Sequence, residues 1–190
     1  MNALPRLVEA LQGKGIVSET LVSTYTAGRK TNGLPRDLRG LRLNEIKQRE
    51  QFRPIAPVCL EEEAARWFGC DHPSPFMLYT HRALTDGLAA VTHVNGTTRI
   101  QTVSSENNRN LYELLIAFKA RTGYGVLCNT SLNFKGRGSI NEIANLSAYA
   151  VKHSLDGFVV EGRAYLVRSS RGNQAYLRMS NRWSIKRAMR

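Results

Sequence analysis

Three cations stand within seven residues in Lys47-Gln48-Arg49-Glu50-Gln51-Phe52-Arg53, just ahead of Pro54. An arginine fork grips phosphate or carboxylate through two parallel N–H bonds, while a lysine supplies a mobile point charge. In a regular helix Lys47 and Arg49 lie about 200° apart and cannot share a face. If the segment uncoils before Pro54, they converge on one oxyanion. The commoner fate of such a segment is a solvated helix end whose cations meet its own carbonyls. Arg99 is a fourth candidate. On a strand it shares one face with Thr97 and Gln101, while Thr98 and Ile100 point the other way. That face can line a polar groove, or be the wet side of an ordinary antiparallel sheet.

Opposite these cations the sequence offers the loop Asn129-Thr130-Ser131-Leu132-Asn133, four of whose five side chains are short and polar. Such side chains hydrogen-bond a carbonyl, ribose or phosphate, and they also cap turns routinely. Gly136-Arg137-Gly138-Ser139 follows and can present backbone N–H groups to an anion, but no G-x-x-x-x-G-K-[ST] phosphate loop exists in the chain. Cys128 precedes the loop on a buried strand, where a thiol is usually inert. Cys70-Asp71-His72 with His81 has metal-ligating atoms, but its spacing matches no standard site and no metal ligand is assigned.

The elements that must position these residues follow from periodicity and punctuation. Leu4, Leu7, Val8 and Leu11 predict a short opening helix over 4–12, and a strand is expected near 21–25. Residues 28–40 read as an irregular loop and 43–51 as a helix, after which Pro54 and Pro57 force extended chain. A helix over 61–68 has acids at its start. Strands are expected at 76–82 and 89–94. Asn95-Gly96 then turns the chain into an antiparallel strand over 97–103. A helix over 109–121 ends at Gly123, and a buried strand over 126–128 runs into the Asn129 loop. A helix over 141–153 and a hairpin of 158–160 with 164–167 complete the pattern. Alternating strands and helices imply an α/β (α+β) fold, a twisted mixed sheet with helices packed on it.

Bulk properties narrow the partners. The chain has 190 residues, 42% of them hydrophobic, enough for one core. Its apolar runs are short and broken by charge, and no secretory leader pattern opens it, so a cytoplasmic protein without a membrane span is expected. Three cysteines without a C-x-x-C spacing read as reduced thiols. The net charge of +12 calls for an anionic partner. Eight Lys or Arg and no acid lie between Arg163 and Arg190, so 168–190 reads as a basic tail behind a domain over 1–167.

Taken in order, several segments resemble the C-terminal domain of the O-carbamoyltransferases of antibiotic and nodulation-factor biosynthesis. They are Gly28-Arg29 with Pro35-Arg36, the run from Leu43 through Lys47, Arg53 and Pro57, Ser74-Pro75-Phe76-Met77, the run Val91 to Val103, Thr122-Gly123 and Asn129 to Asn133. The resemblance implies a YrdC-like fold that converts carbamoyl phosphate and ATP, with Mg²⁺, into carbamoyl-adenylate, releasing phosphate and pyrophosphate. Position by position it implies that Arg36, Lys47, Arg53, Arg99, Ser131 and Asn133 hold the phosphate and carbamoyl groups, with Lys47, Arg53 and Arg99 as the catalytic cations; Arg49 joins the substrate- and nucleotide-binding residues on its spacing, and Thr130 as a short polar member of its loop. Leu34 interrupts the family's usual G-P-R-A-L-G segment, and Asp37 and Arg39 replace small residues there. The family's N-terminal kinase-like half has no counterpart in these 190 residues, so a separate carbamoyl-transfer subunit is expected as partner. Two rival readings are a nucleic-acid-binding module acting through the basic tail, with strongly salt-dependent affinity, and a non-catalytic partner-binding remnant of the same fold.

Overall fold

Ala56–Leu60 (β2) is the strand around which the molecule is organised, and four of its five residues are buried. Its sheet has the order β1-β6-β2-β5, with β1 at Thr20–Val22, β5 at Gln101–Val103 and β6 at Val126–Thr130. β6 runs antiparallel to both β1 and β2, whereas β5 is parallel to β2. The computed structural model describes residues 20–22, 44–48, 50, 53, 55–133, 138–140, 142–153, 155, 157–160, 163–169 and 175–179. The expected helix over 4–12, the loop over 28–40, Arg36, Arg49 and Arg137 lie outside them.

Proline in a central strand needs a reason, because it cannot donate to a ladder. Leu60 N donates to Gly125 O, so the even-numbered amides of β2 point toward β6 and the odd ones toward β5. Pro57 therefore lacks its N–H on the β5 flank, and β5 begins to pair only at Val58. The strand loses no hydrogen bond.

The period-2 alternation of these strands sorts their side chains onto two faces. Val58, Leu60, Val103 and Leu127 pack against Leu114, Leu115, Ala117 and Phe118 of helix α2, Arg109–Thr122. Asn108 caps that helix by accepting from Leu111 N at 3.1 Å, and Gly123, at φ 81°, ends it. On the opposite face Cys59, Val126 and Cys128 meet Ala64 and Phe68 of helix α1, Ala64–Phe68, together with Leu88, Val91 and Ile100. A third cluster joins Leu132 and Ile140 to Leu146, Tyr149 and Ala150 of helix α3, Ile143–Lys152, and to Phe158. Phe158 lies in β7, Gly157–Val160, which pairs with β8, Arg163–Ser169.

Two expected strands are not formed. Residues 76–80 are irregular, and only His81–Arg82 (β3) is extended. Asp86–Val91 is a 3-10 helix, because Thr85 Oγ1 accepts from Gly87 N at 3.2 Å and starts a helical turn. Its apolar run buries Leu88, Ala90 and Val91 as well in that form as in a strand. The Asn95-Gly96 turn does form: Gly96 has φ 78°, and Asn95 Oδ1 accepts from Thr97 N at 3.0 Å. Its outgoing strand is short, Thr97–Thr98 (β4), and pairs with β3 rather than with 89–94. The expected 97–103 strand thus divides between two sheets, β4 in one and β5 in the other. The helix read at 61–68 begins as a 3-10 turn, Glu61–Glu63. The boundary expected at 167 falls inside β8, and Ala175–Met179 (β9), within the segment read as a tail, pairs with it.

Glu63 ties three elements together. Its Oε2 accepts from Trp67 Nε1 at 3.1 Å and Gly125 N at 3.0 Å, and its Oε1 meets Lys119 Nζ at 2.9 Å. Burial alone would raise its pKa, but the bonds from Lys119, Trp67 and the Gly125 amide outweigh that and hold it below the ordinary range. A carboxyl with a depressed folded pKa adds stability fully above its unfolded value, and this is lost as pH falls through the folded value. Glu63→Gln is expected to cost about 1–3 kcal/mol in urea unfolding at neutral pH. The gap from wild type should narrow below about pH 4; a gap that persists into acid contradicts the assignment.

Candidate anion-binding site

The topology gathers three chain segments at one end of the central sheet. β6 ends there, and β2 and β5 begin there, so the residues after Thr130, those before Ala56 and those around Arg99 become neighbours. α2 covers the rest of that sheet face. Beyond it Asn129 and Gln101 lie where the apolar alternation would place core residues, and Asn129 Nδ2 donates to Gln101 Oε1 at 2.6 Å. Gln101 Nε2 in turn donates to Pro75 O at 3.1 Å.

Residues 44–46 form a helical turn that ends where Gln48 enters the left-handed region at φ 50°. The chain therefore uncoils well before Pro54. Ile46 anchors the turn by packing against two of the apolar clusters. Asn44, only 1% exposed, donates to Arg53 O at 2.9 Å and ties Arg53 back to the turn.

Lys47 leaves this turn toward the Ser131–Asn133 loop. Its Nζ lies 2.7 Å from Ser131 O, 3.0 Å from Asn133 O and 2.6 Å from Asn133 Oδ1. An ammonium has three donors, and these acceptors match them in number. Ser131 Oγ also donates to Asn133 Oδ1 at 2.8 Å, which fixes the amide with its oxygen toward Lys47. The loop is held from below by the buried Leu132 and Ile140, whose backbones join through Ile140 N to Leu132 O at 3.0 Å, and by a bridge between Asn133 and Ser139.

The expected site residues thus divide. Lys47, Ser131 and Asn133 are brought together by direct contacts. Thr130 and Asn129 belong to β6 rather than to a loop and are buried, so Thr130 does not stand in the open. Arg53 is exposed and turned to Glu50, Nε to Oε2 at 2.8 Å, instead of toward Ser131. Arg99 stands exposed at the same sheet end, with no hydrogen bond or ion pair among the described residues. The alternation predicted around it holds across the strand break, since Thr98, Ile100 and Thr102 are buried.

Two participants were not read from sequence. Asn44 is a positioning residue whose partner is a backbone carbonyl nine residues away, which leaves no pattern to find. The His153 ring lies against that of Tyr149, centroids 4.4 Å apart and planes tilted by 45°. Burial lowers its pKa, and the positive charges of Lys152 and Lys47 lower it further. The cysteines offer no nucleophile here: all three are buried thiols outside any disulfide, and burial pushes the Cys59 thiol far up.

The family model described as Carbamoyltransferase C-terminus matches residues 35–168 of the chain. The chain belongs to this carbamoyltransferase C-terminal family. Every expected site residue, from Arg36 to Asn133, falls inside the match. The chain is 51% identical over 120 residues to 3'-hydroxymethylcephem-O-carbamoyltransferase of Amycolatopsis lactamdurans, covering 63% of this chain and 23% of that protein. The protein of the same name from Streptomyces clavuligerus is 47% identical, with the same shares covered. Nodulation protein U of Sinorhizobium fredii (strain NBRC 101917 / NGR234) is 44% identical over 99 residues, which are 50% of this chain and 18% of that protein. The carbamoyltransferase C-terminal chain therefore spans less than a quarter of the length of these relatives. No helix among the described residues is long and apolar enough to cross a membrane.

If Lys47 holds the loop, removing its charge loosens that loop without dissolving the core. In Lys47→Met, exchange of the Ile140 amide is expected to speed by about tenfold, the effect of about one lost charge-assisted hydrogen bond. Amides of α2 should keep their rates. Unchanged exchange at Ile140 would show that the clamp holds nothing.

Proposed function

We propose that this chain forms or holds carbamoyl-adenylate, drawing on carbamoyl phosphate and ATP. The contact of Lys47 with Ser131 and Asn133 carries the reading. It sets an ammonium, a hydroxyl and a carboxamide within one hydrogen-bonding group, the chemistry needed to seat a carbamoyl group beside a phosphate. Membership in the carbamoyltransferase C-terminal family and the names of the relatives support carbamoyl transfer as the class.

In the reaction proposed, water cleaves the carbamoyl–phosphate bond and phosphate leaves. The carbamate oxygen then attacks the α-phosphorus of ATP, and pyrophosphate departs with its bonding electrons. No protein nucleophile is required. Both substrates are polyanions, so the protein must offset their repulsion and the charge that grows at the attacked phosphorus. Lys47 is proposed for the first task. Arg99, exposed between β4 and β5, is proposed for the second, and Arg53 can exchange Glu50 for a phosphate, because an exposed ion pair holds it by only about 0.2–1 kcal/mol. Arg36, on the family resemblance, and Arg49, on its spacing from Lys47 and Arg53, are proposed as further phosphate ligands, and Mg²⁺ enters with ATP as part of the substrate.

Delivery to an acceptor hydroxyl is proposed to belong to a kinase-like transfer chain. The exposed apolar side chains between 76 and 94 suit a protein partner: Phe76 is 77% exposed, Leu78 71% and Val94 91%.

The purified chain with ATP, carbamoyl phosphate and Mg²⁺, alone or with its transfer partner, should release pyrophosphate. Lys47→Ala and Arg99→Ala should each lower that rate by about a hundredfold or more while the far-ultraviolet dichroism is kept. No pyrophosphate under either condition overturns the proposal, and full activity in a folded variant removes that residue from the site.

A further inference from the structure

Helix α1 ends at Gly69, whose φ of 62° turns the chain sharply, and the Gly69 and Cys70 amides close the helix on Ala65 O and Ala64 O. This places Cys70 at the rim of the core, 2% exposed. Farther along the chain β3 is fixed independently, with His81 paired to Thr98 and Leu84 N bonded to Trp67 O. Two rigid anchors thus bring together side chains that sequence spacing leaves unrelated. One donor atom each from Cys70, His72 and His81 lies within 4.8 Å of the others.

The details of the cluster are those of ligands. Asp71 Oδ1 lies 3.1 Å from His72 Nδ1, which orients the ring and directs Nε2 toward Cys70 Sγ, 4.0 Å away. A carboxylate behind a ligating imidazole is the usual outer partner of a metal-bound histidine. The His72 and His81 rings are 5.7 Å apart, centre to centre. Among the described residues nothing hydrogen-bonds His81 Nε2, which is buried. Leaving such an atom unsatisfied costs about 1–3 kcal/mol, and native proteins rarely do so without a use for it.

We propose that Cys70 Sγ, His72 Nε2 and His81 Nε2 bind one borderline-soft divalent cation of the Zn²⁺ class, with water or another oxygen donor in the fourth position. Thiolate and imidazole donors select this class over Mg²⁺ or Ca²⁺, which take oxygen. Tetrahedral bonds of about 2.0–2.3 Å bring ligand atoms to about 3.4–3.6 Å from one another, so closure asks for side-chain movements of about 1 Å. The Cys70 thiol donates to His72 O at 3.1 Å. On binding, that proton leaves to solvent and the sulfur's electron pair forms the metal bond.

The ion would clip residues 71–80 between α1 and β3. That segment reaches the sheet end described above: Ser74 N donates to Thr102 Oγ1 at 2.8 Å, Pro75 O accepts from Gln101, and Met77 Sδ accepts from Asn129 Nδ2 at 3.8 Å. The metal would order one wall of the site without touching its cations.

The test is a Co²⁺ titration of the chelator-treated full chain in a phosphine reductant, followed by Zn²⁺ displacement. One equivalent should saturate a thiolate-to-cobalt charge-transfer band, and Zn²⁺ should abolish it. Asp71→Asn should weaken binding about 10- to 100-fold through the lost outer hydrogen bond. His72→Ala, at an exposed position that folding tolerates, should weaken it at least as much, and Cys70→Ser should remove the band. No saturable band at one equivalent, or an unchanged affinity in folded His72→Ala, overturns the site.

Discussion

A single ammonium, Lys47 Nζ, joins stretches of chain that lie 84 and 86 residues apart in sequence, and the order of the candidate site depends on that bridge. The bridge is possible because two independent features meet. The helical turn stops at Gln48 and aims Lys47 outward, while β6 carries Ser131 and Asn133 past the sheet's end. Three charge-assisted acceptors offset the cost of holding a half-buried ammonium away from water. A substrate oxyanion takes one of these N–H bonds only by displacing its present acceptor. An ammonium fixed in advance loses little freedom when a substrate arrives, which is the advantage of a preorganised site.

Much of this was legible in the sequence, for reasons that are physical. α2 announced itself through Leu111, Leu114, Leu115 and Phe118 and through Gly123, since apolar periodicity and a left-handed cap both act locally. The Asn95-Gly96 turn was equally local. What failed was strand partnership. Residues 86–91 have a capping Thr85 and an apolar run that fits either conformation, and tertiary packing on Phe68 and Ile100 decided for the helix. Once that strand was lost, β4 paired with β3, and β5 was left to join β2 in parallel.

The site shows the same division. Lys47, Ser131 and Asn133 were picked out by the family resemblance, because cations before a proline and short polar residues after a strand each have a commoner structural reading. Asn44 and the Asn129–Gln101 pair were not, and Cys70, His72 and His81 stood out only for their donor atoms, in no standard spacing. Each depends on which strands become neighbours, and no spacing rule encodes that. Arg53 shows the converse: its type marks it for an anion, yet an acid three residues away holds it in this state.

The chain belongs to the carbamoyltransferase C-terminal family, and the role proposed for it is carbamoyl activation. That role requires Lys47 to act on substrate as well as on the loop. Calorimetric titration with carbamoyl phosphate, comparing wild type with Lys47→Met, separates the two tasks. Affinity should weaken by about tenfold or more in the variant, the value of one charge-assisted hydrogen bond. Equal affinity in the two proteins would contradict a role for Lys47 in holding substrate.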